Sequence, residues 1–230
     1  SGLKRFANDL GGHYQGTTLD ERDLRSLGLL NAPQQVRHDG ELTQLQAWAE
    51  RGLRLQLSLN ISADDLHDLH LAARVGTLLQ QYRVPAAQLI FEITESAIMH
   101  NPQQALNVLE QLRGCGISLS VDDFGTGYSS LSQLKRMPVQ ELKIDQSFVR
   151  DLDEASEDAV IVRSTIDMSH SLGLKVVAEG VEYERSLRLL ERWGCDTVQG
   201  YLISRPLSAE AFEIWHGQPL NPLLLRETER

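Results

Sequence analysis

Hydrophobic residues recur along this chain of 230 residues with two alternating periods. The spacing of Leu42, Leu45 and Trp48 predicts a helix that ends before a glycine. Between residues 53 and 59, leucine alternates with polar residues at every second position, and this period predicts a strand with one buried face. Residues 1–40 are the least readable part of the chain, because glycines interrupt any period there, and the elements of this region stay ambiguous.

The same cycle repeats along the rest of the chain. The pattern predicts strands at 89–94, 117–121, 141–145, 174–178 and 197–198, and helices at about 63–82, 102–114, 131–137, around 160–168, around 187–190 and at 209–215. Strands that alternate with helices at this spacing are typical of parallel βα units. Six such units favour an α/β fold, a TIM-like (β/α)8 barrel.

One domain accounts for this pattern better than two, because the composition does not change between the cycles. We expect this single barrel domain to cover residues 1–218. Its start, residues 1–40, is divergent or truncated in this interpretation. Residues 219–230 are expected to form a C-terminal tail.

The net charge of the chain limits the classes of partner that it is expected to bind. The net charge is −10, from 32 acidic and 22 basic residues, which argues against binding a nucleic-acid duplex or an anionic membrane surface. No apolar run approaches the length of a membrane span. Cys115 and Cys195 lie in separate turns with no second thiol nearby in the sequence, which favours a reduced, cytoplasmic compartment.

Polar side chains stand at the ends of successive predicted strands. They are Asn60, Glu92, Asp122 with Asp123, Lys143, Glu179 and Gln199. Any one of them by itself is more simply interpreted as a cap, a turn or a surface group. Because the carboxyl ends of parallel barrel strands converge on one face, six consecutive occurrences predict a shared site.

The residue types of this set indicate its chemistry. Carboxylate and amide oxygens without histidine or cysteine favour Mg²⁺ or Mn²⁺ over zinc. Two such ions can activate water for in-line attack on phosphorus. Lys143 has two interpretations of equal weight: it stabilises charge on a phosphoryl oxygen, or it only neutralises the neighbouring carboxylates.

Five segments resemble, in the same order, the motifs of the EAL family of cyclic-di-GMP phosphodiesterases. They are FEITES at 91–96, DDFGTGYSS at 122–130, LKID at 142–145, VAEGVE at 177–182 and QGY at 199–201. The resemblance covers roughly residues 40–210. It implies an EAL-type barrel with one reversed strand, and cleavage of cyclic-di-GMP to linear pGpG with two Mg²⁺ or Mn²⁺ ions.

The resemblance also implies a role for each matching residue. The implied metal ligands are Asn60, Glu92, Asp122, Asp123 and Glu179, with Asp123 shared with the second metal. Lys143 and Gln199 would position water or substrate, and Glu182 would contact a guanine. Glu95 would anchor the loop that starts at Asp123. Glu92, Asp122, Lys143 and Gln199 are the implied catalytic set, and Asn60 and Asp122 also belong to the implied ligand-binding set.

The chain departs from the family pattern at its start. Counted back from Asn60, the signature Glu-Ala-Leu falls on residues 1–3, so that Leu3 and the ligand-binding Arg5 match but Ser1 replaces the glutamate. A neutral hydroxyl does not supply the charge of a carboxylate ligand, so one metal site is expected to be weakened. Two explanations stay open: a degenerate domain, or a chain trimmed at this end.

Three functions therefore compete. The leading one is a cyclic-di-GMP-binding EAL domain of bacterial signalling whose phosphodiesterase activity is lost or reduced. The second is an active, metal-dependent phosphodiesterase that forms pGpG. The third is a protein-interaction scaffold without nucleotide. The resemblance further implies a homodimer and a diguanylate-cyclase-like or sensory domain upstream.

Overall fold

Parallel strands alternate with helices throughout the computed structural model, which describes residues 13–14, 34–99, 101–125 and 131–217. The strands are β1 His13–Tyr14, β2 Gln56–Ile61, β3 Leu89–Thr94, β4 Ser118–Phe124, β5 Glu141–Ile144, β6 Lys175–Ala178 and β7 Thr197–Val198. They follow one another in the sheet in chain order. The helices are α1 Gln34–Glu50, α2 Leu71–Tyr82, α3 Glu95–Met99, α4 Pro102–Gly114, α5 Leu131–Leu134, α6 Gln146–Val149, α7 Glu157–Ser171, α8 Glu184–Arg192 and α9 Ala209–His216.

The chain divides into two compact units. The described residues of the first unit are 13–14, 34–92, 97–99 and 101–119, and those of the second are 93–96, 120–125 and 131–217. Within the described ranges, no helix is long and apolar enough to cross a membrane. The predicted tail, 219–230, lies outside the described residues, so the predicted domain limits stay a prediction.

The first unit buries the apolar faces that the sequence pattern predicts. Trp48 on α1 is 1% exposed, and truncation of such a side chain costs about 3–5 kcal/mol. In β2, Leu57 and Leu59 are buried, whereas Asn60 between the buried positions is exposed. Helix α4 begins with Pro102 at its first turn, where a missing N–H costs no hydrogen bond.

The helix predicted at 63–82 is wrong in its first third. The structure has a short 3₁₀ turn at Asp65–His67, and α2 begins only at Leu71. Local side chains hold the intervening backbone: Ser62 donates through its N–H and its hydroxyl to Asp65, and Asp68 accepts from the N–H of His70 at 2.8 Å. Serine and aspartate compete in this way with the helical hydrogen bonds.

The second unit contains the ladder that carries most of the candidate site. Strands β4, β5, β6 and β7 pair in parallel, with Lys143 of β5 opposite Val177 of β6. Their middle residues are buried, as expected of parallel strands covered on both faces. The N–H of Glu179 donates to the carbonyl of Ile144 at 3.1 Å, and the N–H of Gln199 donates to that of Ala178 at 2.9 Å. The ladder bonds therefore continue into the loops that follow β5, β6 and β7.

Two strand limits differ from the predicted ones. The strand predicted at 53–59 is Gln56–Ile61, so Asn60 lies inside it rather than after it. Strand β4 runs to Phe124 and contains both adjacent aspartates, where the pattern predicted an end at residue 121. Each strand extends into polar residues because hydrogen bonds to the neighbouring strand, and not the length of the hydrophobic run, determine where the strand ends.

Candidate functional site

A β-bulge at the end of β4 brings two adjacent carboxylates to one side. Val121 pairs with Leu142 and Phe124 with Ile144, so three steps along β4 oppose two steps along β5. Asp123 takes up the difference in the left-handed region, at a φ of 54°. Neighbouring residues of a regular strand face opposite sides, so the bulge lets Asp122 and Asp123 approach the same point.

Glycine completes this turn. Gly125 has a φ of 102°, and a Cβ built on it would lie 3.0 Å from the ring of Phe148. Both conditions disfavour any other residue there. The rest of the predicted loop, residues 126–130, lies outside the described residues.

The surroundings of the Asp123 carboxyl group disfavour its ionised form. Burial raises the pKa of Asp123, the nearby charges of Asp122 and Asp145 raise it further, and the ammonium of Lys143 opposes them. A cation placed among these carboxylates would favour the ionised form. Carboxylates with these electrostatic surroundings are suited to binding a cation.

Lys143 lies between two of the predicted site residues. Its side chain is buried, and its Nζ is 3.0 Å from Oδ1 of Asp122 and 2.6 Å from Oε1 of Glu179. Oδ1 of Asp122 is itself buried and has no hydrogen-bond partner among the described residues, so its contact with Lys143 is an ion pair. Lys143 thus forms ion pairs with both carboxylates, and this geometry is compatible with both interpretations of its role.

Asp122, Asp123 and Glu179 satisfy the requirements of a hard cation. One carboxylate oxygen from each lies within 4.8 Å of the others, and all three side chains are half-buried. The buried Oδ1 of Asp122 offers lone pairs that no hydrogen bond uses. The donor set consists of oxygen atoms alone, which suits Mg²⁺ or Mn²⁺. These residues fit the metal group that the sequence implies.

The loops after β6 and β7 are fixed to each other. The N–H of Val181 donates to the carbonyl of Gln199 at 3.0 Å, and the N–H of Leu202 donates to that of Val181 at 3.0 Å. A Cβ on Gly200 would lie 2.2 Å from the carbonyl oxygen of Val181, so only glycine permits this approach. Glu182 is half-buried in the first loop, and the side chain of Gln199 is exposed in the second.

The other predicted residues are placed separately. In the first unit, Asn60 is exposed on β2 and Glu92 is buried on β3 at 6% exposure. In the second unit, Glu95 begins α3 and is 5% exposed; its Oε1 has no hydrogen-bond partner in the described part of the chain. Ser1, Leu3 and Arg5 lie outside the described residues, so the predictions made for them stay predictions.

Three residues that the sequence did not single out belong to the same surroundings. Asp145 raises the pKa of Asp123, Arg150 pairs with Glu182 at 3.3 Å, and Gly200 permits the approach of Val181. Asp145 follows the end of β5 directly, so the rule that selected the other strand-end acids applies to it too. No pattern in the sequence connects Arg150 with Glu182, because their contact joins two different loops.

Comparison with known proteins gives a consistent result. The EAL domain model matches residues 24–206. The chain is 41% identical over 173 residues to the bifunctional diguanylate cyclase/cyclic di-GMP phosphodiesterase MucR of Pseudomonas aeruginosa, covering 75% of this chain and 25% of MucR. It is 46% identical over 160 residues to the cyclic di-GMP phosphodiesterase NbdA of the same organism, covering 70% of this chain and 20% of NbdA. The chain thus spans a quarter or less of the length of these relatives.

Solved structures agree with this match. The PaMucR phosphodiesterase in complex with c-di-GMP superposes with a TM-score of 0.74 at 38% identity, over 82% of this chain and 83% of that chain. The EAL domain of Mycobacterium smegmatis DcpA gives a TM-score of 0.75 at 34% identity, over 80% and 83% of the two chains. These likenesses confirm the predicted fold class, an α/β barrel of this type.

Proposed function

The chain belongs to the EAL domain family, and on that premise we propose that it binds cyclic-di-GMP at the carboxyl ends of its strands, with phosphodiesterase activity that is lost or reduced. The observation that carries the proposal is the buried Lys143 ammonium between Asp122 and Glu179, with Asp123 beside them. Burying this cluster of charges costs desolvation free energy, and such clusters occur preferentially at functional sites. The name of the related PaMucR complex supports the same ligand.

Asp122, Asp123 and Glu179 are the residues that would hold Mg²⁺ or Mn²⁺, and such an ion supplies acidified water and neutralises phosphate charge. In this proposal the ammonium of Lys143 is already oriented by two carboxylates, so it faces a phosphoryl oxygen without reorganisation. Glu182 accepts from a guanine, and the exposed amide of Gln199 donates to the ligand. The roles of Asn60 and Glu92 as further metal ligands rest on the resemblance alone.

Reduced turnover is the second part of the proposal. It rests on Ser1, which replaces the signature glutamate in the resemblance. One carboxylate fewer would weaken the binding of one cation, and a site that loses that cation would no longer acidify the attacking water. In this proposal binding depends less on Ser1 itself, because Lys143, Glu182 and Gln199 contact the ligand from other strands and loops.

Calorimetry with cyclic-di-GMP, with and without Mg²⁺, tests the binding part. We expect a dissociation constant below about 100 μM, and a weaker one would overturn the receptor proposal. Asp122→Asn should weaken the Mg²⁺-dependent part of binding. Arg192→Ala, which removes an exposed ion pair with Glu154, is the control that should leave binding unchanged.

An active phosphodiesterase is the second candidate, and one observation favours it. Asp122, Asp123, Glu179 and Lys143 are all in place in the described site. Formation of pGpG with Mn²⁺ decides between the two candidates: product at catalytic rates supports the active enzyme, and its absence at high protein concentration supports the degenerate receptor. A scaffold without nucleotide gives no reason for this acidic cluster, and complex formation with a protein partner that ignores both nucleotide and metal would revive it.

The setting of the domain is also part of the proposal. The name of MucR combines two activities in one protein, which supports a diguanylate-cyclase-like or sensory domain preceding this one. We further propose a cytoplasmic location, because the described thiols Cys115 and Cys195 are both unpaired, and a homodimer. Mass measurement of the purified domain tests the dimer.

A further inference from the structure

An arginine and a glutamate face each other beside the candidate ligand site. Nε of Arg150 lies 3.3 Å from Oε1 of Glu182, and the two side chains are 61% and 25% exposed. Arg150 follows α6, the short helix after β5, and Glu182 lies in the loop after β6. The pair is thus contributed by the carboxyl ends of two neighbouring parallel strands.

The backbone on both sides of this pair is held in place. The N–H of Arg150 donates to the carbonyl of Gln146 at 2.9 Å. Gly180 packs against Gln146 so closely that a Cβ on the glycine would lie 2.5 Å from the Cβ of Gln146. Val181, next to Glu182, is bonded on both sides to the loop after β7. Because the backbone of both loops is held in place, little backbone conformational entropy is lost when the charged pair binds a ligand.

Stability alone does not account for the pair. An exposed arginine–glutamate pair contributes little to the free energy of folding. Arg192 and Glu154 form another pair of this kind, at 2.9 Å, with side chains 57% and 69% exposed. Arg192 is the last residue of α8, and Glu154 lies in the segment before α7, so the motif segments contribute neither residue. Any function of Arg150 and Glu182 therefore depends on where the pair lies, and not on the strength of their contact.

The chemistry of the pair matches one nucleobase edge. Guanine presents an acceptor, O6, beside two donors, N1–H and the exocyclic N2–H. A guanidinium beside a carboxylate presents the complementary order of donor and acceptor. Adenine presents a donor, N6–H, beside an acceptor, N1, and would set like groups against each other. Because Nε contacts Glu182, the terminal amino groups of Arg150 remain for O6.

We propose that Arg150 is a base-contacting residue that donates to O6 of the guanine whose N1–H and N2–H are accepted by Glu182. The inference rests on the proposed function, because it needs cyclic-di-GMP to bind at these strand ends. It adds a direct contact from a residue that neither the motif pattern nor the acidic cluster identifies. Charge-assisted hydrogen bonds of this kind change binding by about tenfold or more.

Titration calorimetry without added divalent cations tests the assignment, with cyclic-di-GMP and cyclic-di-IMP as probes. Hypoxanthine keeps O6 and N1–H but lacks the N2 amino group. We expect Arg150→Ala to weaken both nucleotides by a similar factor, about tenfold, and to leave the preference for guanine over hypoxanthine unchanged. Glu182→Gln should instead reduce that preference. Arg150→Lys should recover part of the affinity, and Arg192→Ala should match the wild type for both probes.

Each other result has a defined meaning. If Arg150→Ala binds both nucleotides as the wild type does, Arg150 does not contact the base. If Arg150→Ala loses the preference for guanine over hypoxanthine, Arg150 only positions Glu182, and the direct contact is overturned. If the wild type binds neither nucleotide, the proposed function itself fails and the inference fails with it. An unchanged melting temperature of Arg150→Ala verifies that the variant is folded.

Discussion

The ammonium of Lys143 lies 2.6 Å from Oε1 of Glu179, and the same ammonium is 3.0 Å from Oδ1 of Asp122. One buried cation thus separates two carboxylates of the candidate metal site. The lysine stabilises these acids in the absence of metal, and in the proposed function it contacts a phosphoryl oxygen of the ligand. Both properties follow from its place on β5, next to β6 in the sheet.

Lys143→Met should destabilise the metal-free protein by about 3 kcal/mol, because two carboxylates lose the charge between them. Added Mn²⁺ should recover more of the melting temperature in the variant than in the wild type, since a cation then replaces the missing one. Thermal unfolding with and without Mn²⁺ measures both effects. Lys175→Met, at an exposed position of β6, is the control; equal melting temperatures for the two variants would contradict the proposed role of Lys143.

Asp123→Asn should stabilise the metal-free protein near neutral pH. The pKa of Asp123 is raised above its ordinary value of 3.8 in the folded state, so the folded protein binds more protons than the unfolded chain above that value. The stability that this group contributes is present below 3.8 and is lost as pH rises through the folded pKa. Asparagine has the same shape and tolerates the left-handed conformation.

Urea unfolding in EDTA at about pH 7 and about pH 4 checks this expectation, and the advantage of Asp123→Asn should shrink at the lower pH. The variant should also lose stabilisation by Mn²⁺. Asp151→Asn, which changes an exposed carboxylate after α6, is the matched control. An advantage of Asp123→Asn that is the same at both pH values would mean that charge is not its cause.

Gly200→Ala should separate the loops that carry Glu182 and Gln199. Its Cβ would lie 2.2 Å from the carbonyl oxygen of Val181, so the backbone must shift, at a cost of about 1–3 kcal/mol. Affinity for cyclic-di-GMP should fall by about tenfold or more, because Glu182 moves with Val181. Denaturant unfolding and calorimetry measure the two losses.

Gly76→Ala provides the contrasting substitution. Gly76 lies in α2, and its Cβ would meet no atom within 4 Å, so the variant should gain about 0.5–1 kcal/mol of stability from helix propensity. Ligand affinity should not change. If Gly200→Ala behaves like Gly76→Ala in both measurements, the close approach of the two loops is not required for binding.

The two thiols should differ in reactivity. Cys195 is buried, its thiol donates to the carbonyl of Thr197 at 3.2 Å, and burial raises its pKa to about 12. Cys115 is exposed. One thiol per chain should react with Ellman's reagent in the native protein and two in denaturant, and Cys115→Ser should remove the native reaction. Two reactive thiols in the native protein would contradict the burial of Cys195.

Much of the fold and some of the site were predictable from local pattern. Leucine alternation in β2 and glycine positions after helices give the elements, because burial repeats at the period of each element. Asp122, Lys143 and Glu179 were predictable as site residues, because parallel strands end on one side. The error at 63–82 has a local cause as well: the side chains of Ser62 and Asp68 accept from the backbone N–H groups of Asp65 and His70 and interrupt a period that looks helical.

The sequence by itself determined the order of the elements, the acidic character of the strand ends and the family, since each depends on residue type and spacing along the chain. Tertiary structure alone decided three other properties. They are the bulge that turns Asp123 toward Asp122, the burial of Lys143 between two acids, and the pairing of Arg150 with Glu182. Each depends on how neighbouring strands, or the loops after them, are placed against one another. The register of the strands fixes that placement, and no periodicity within a single strand specifies the register.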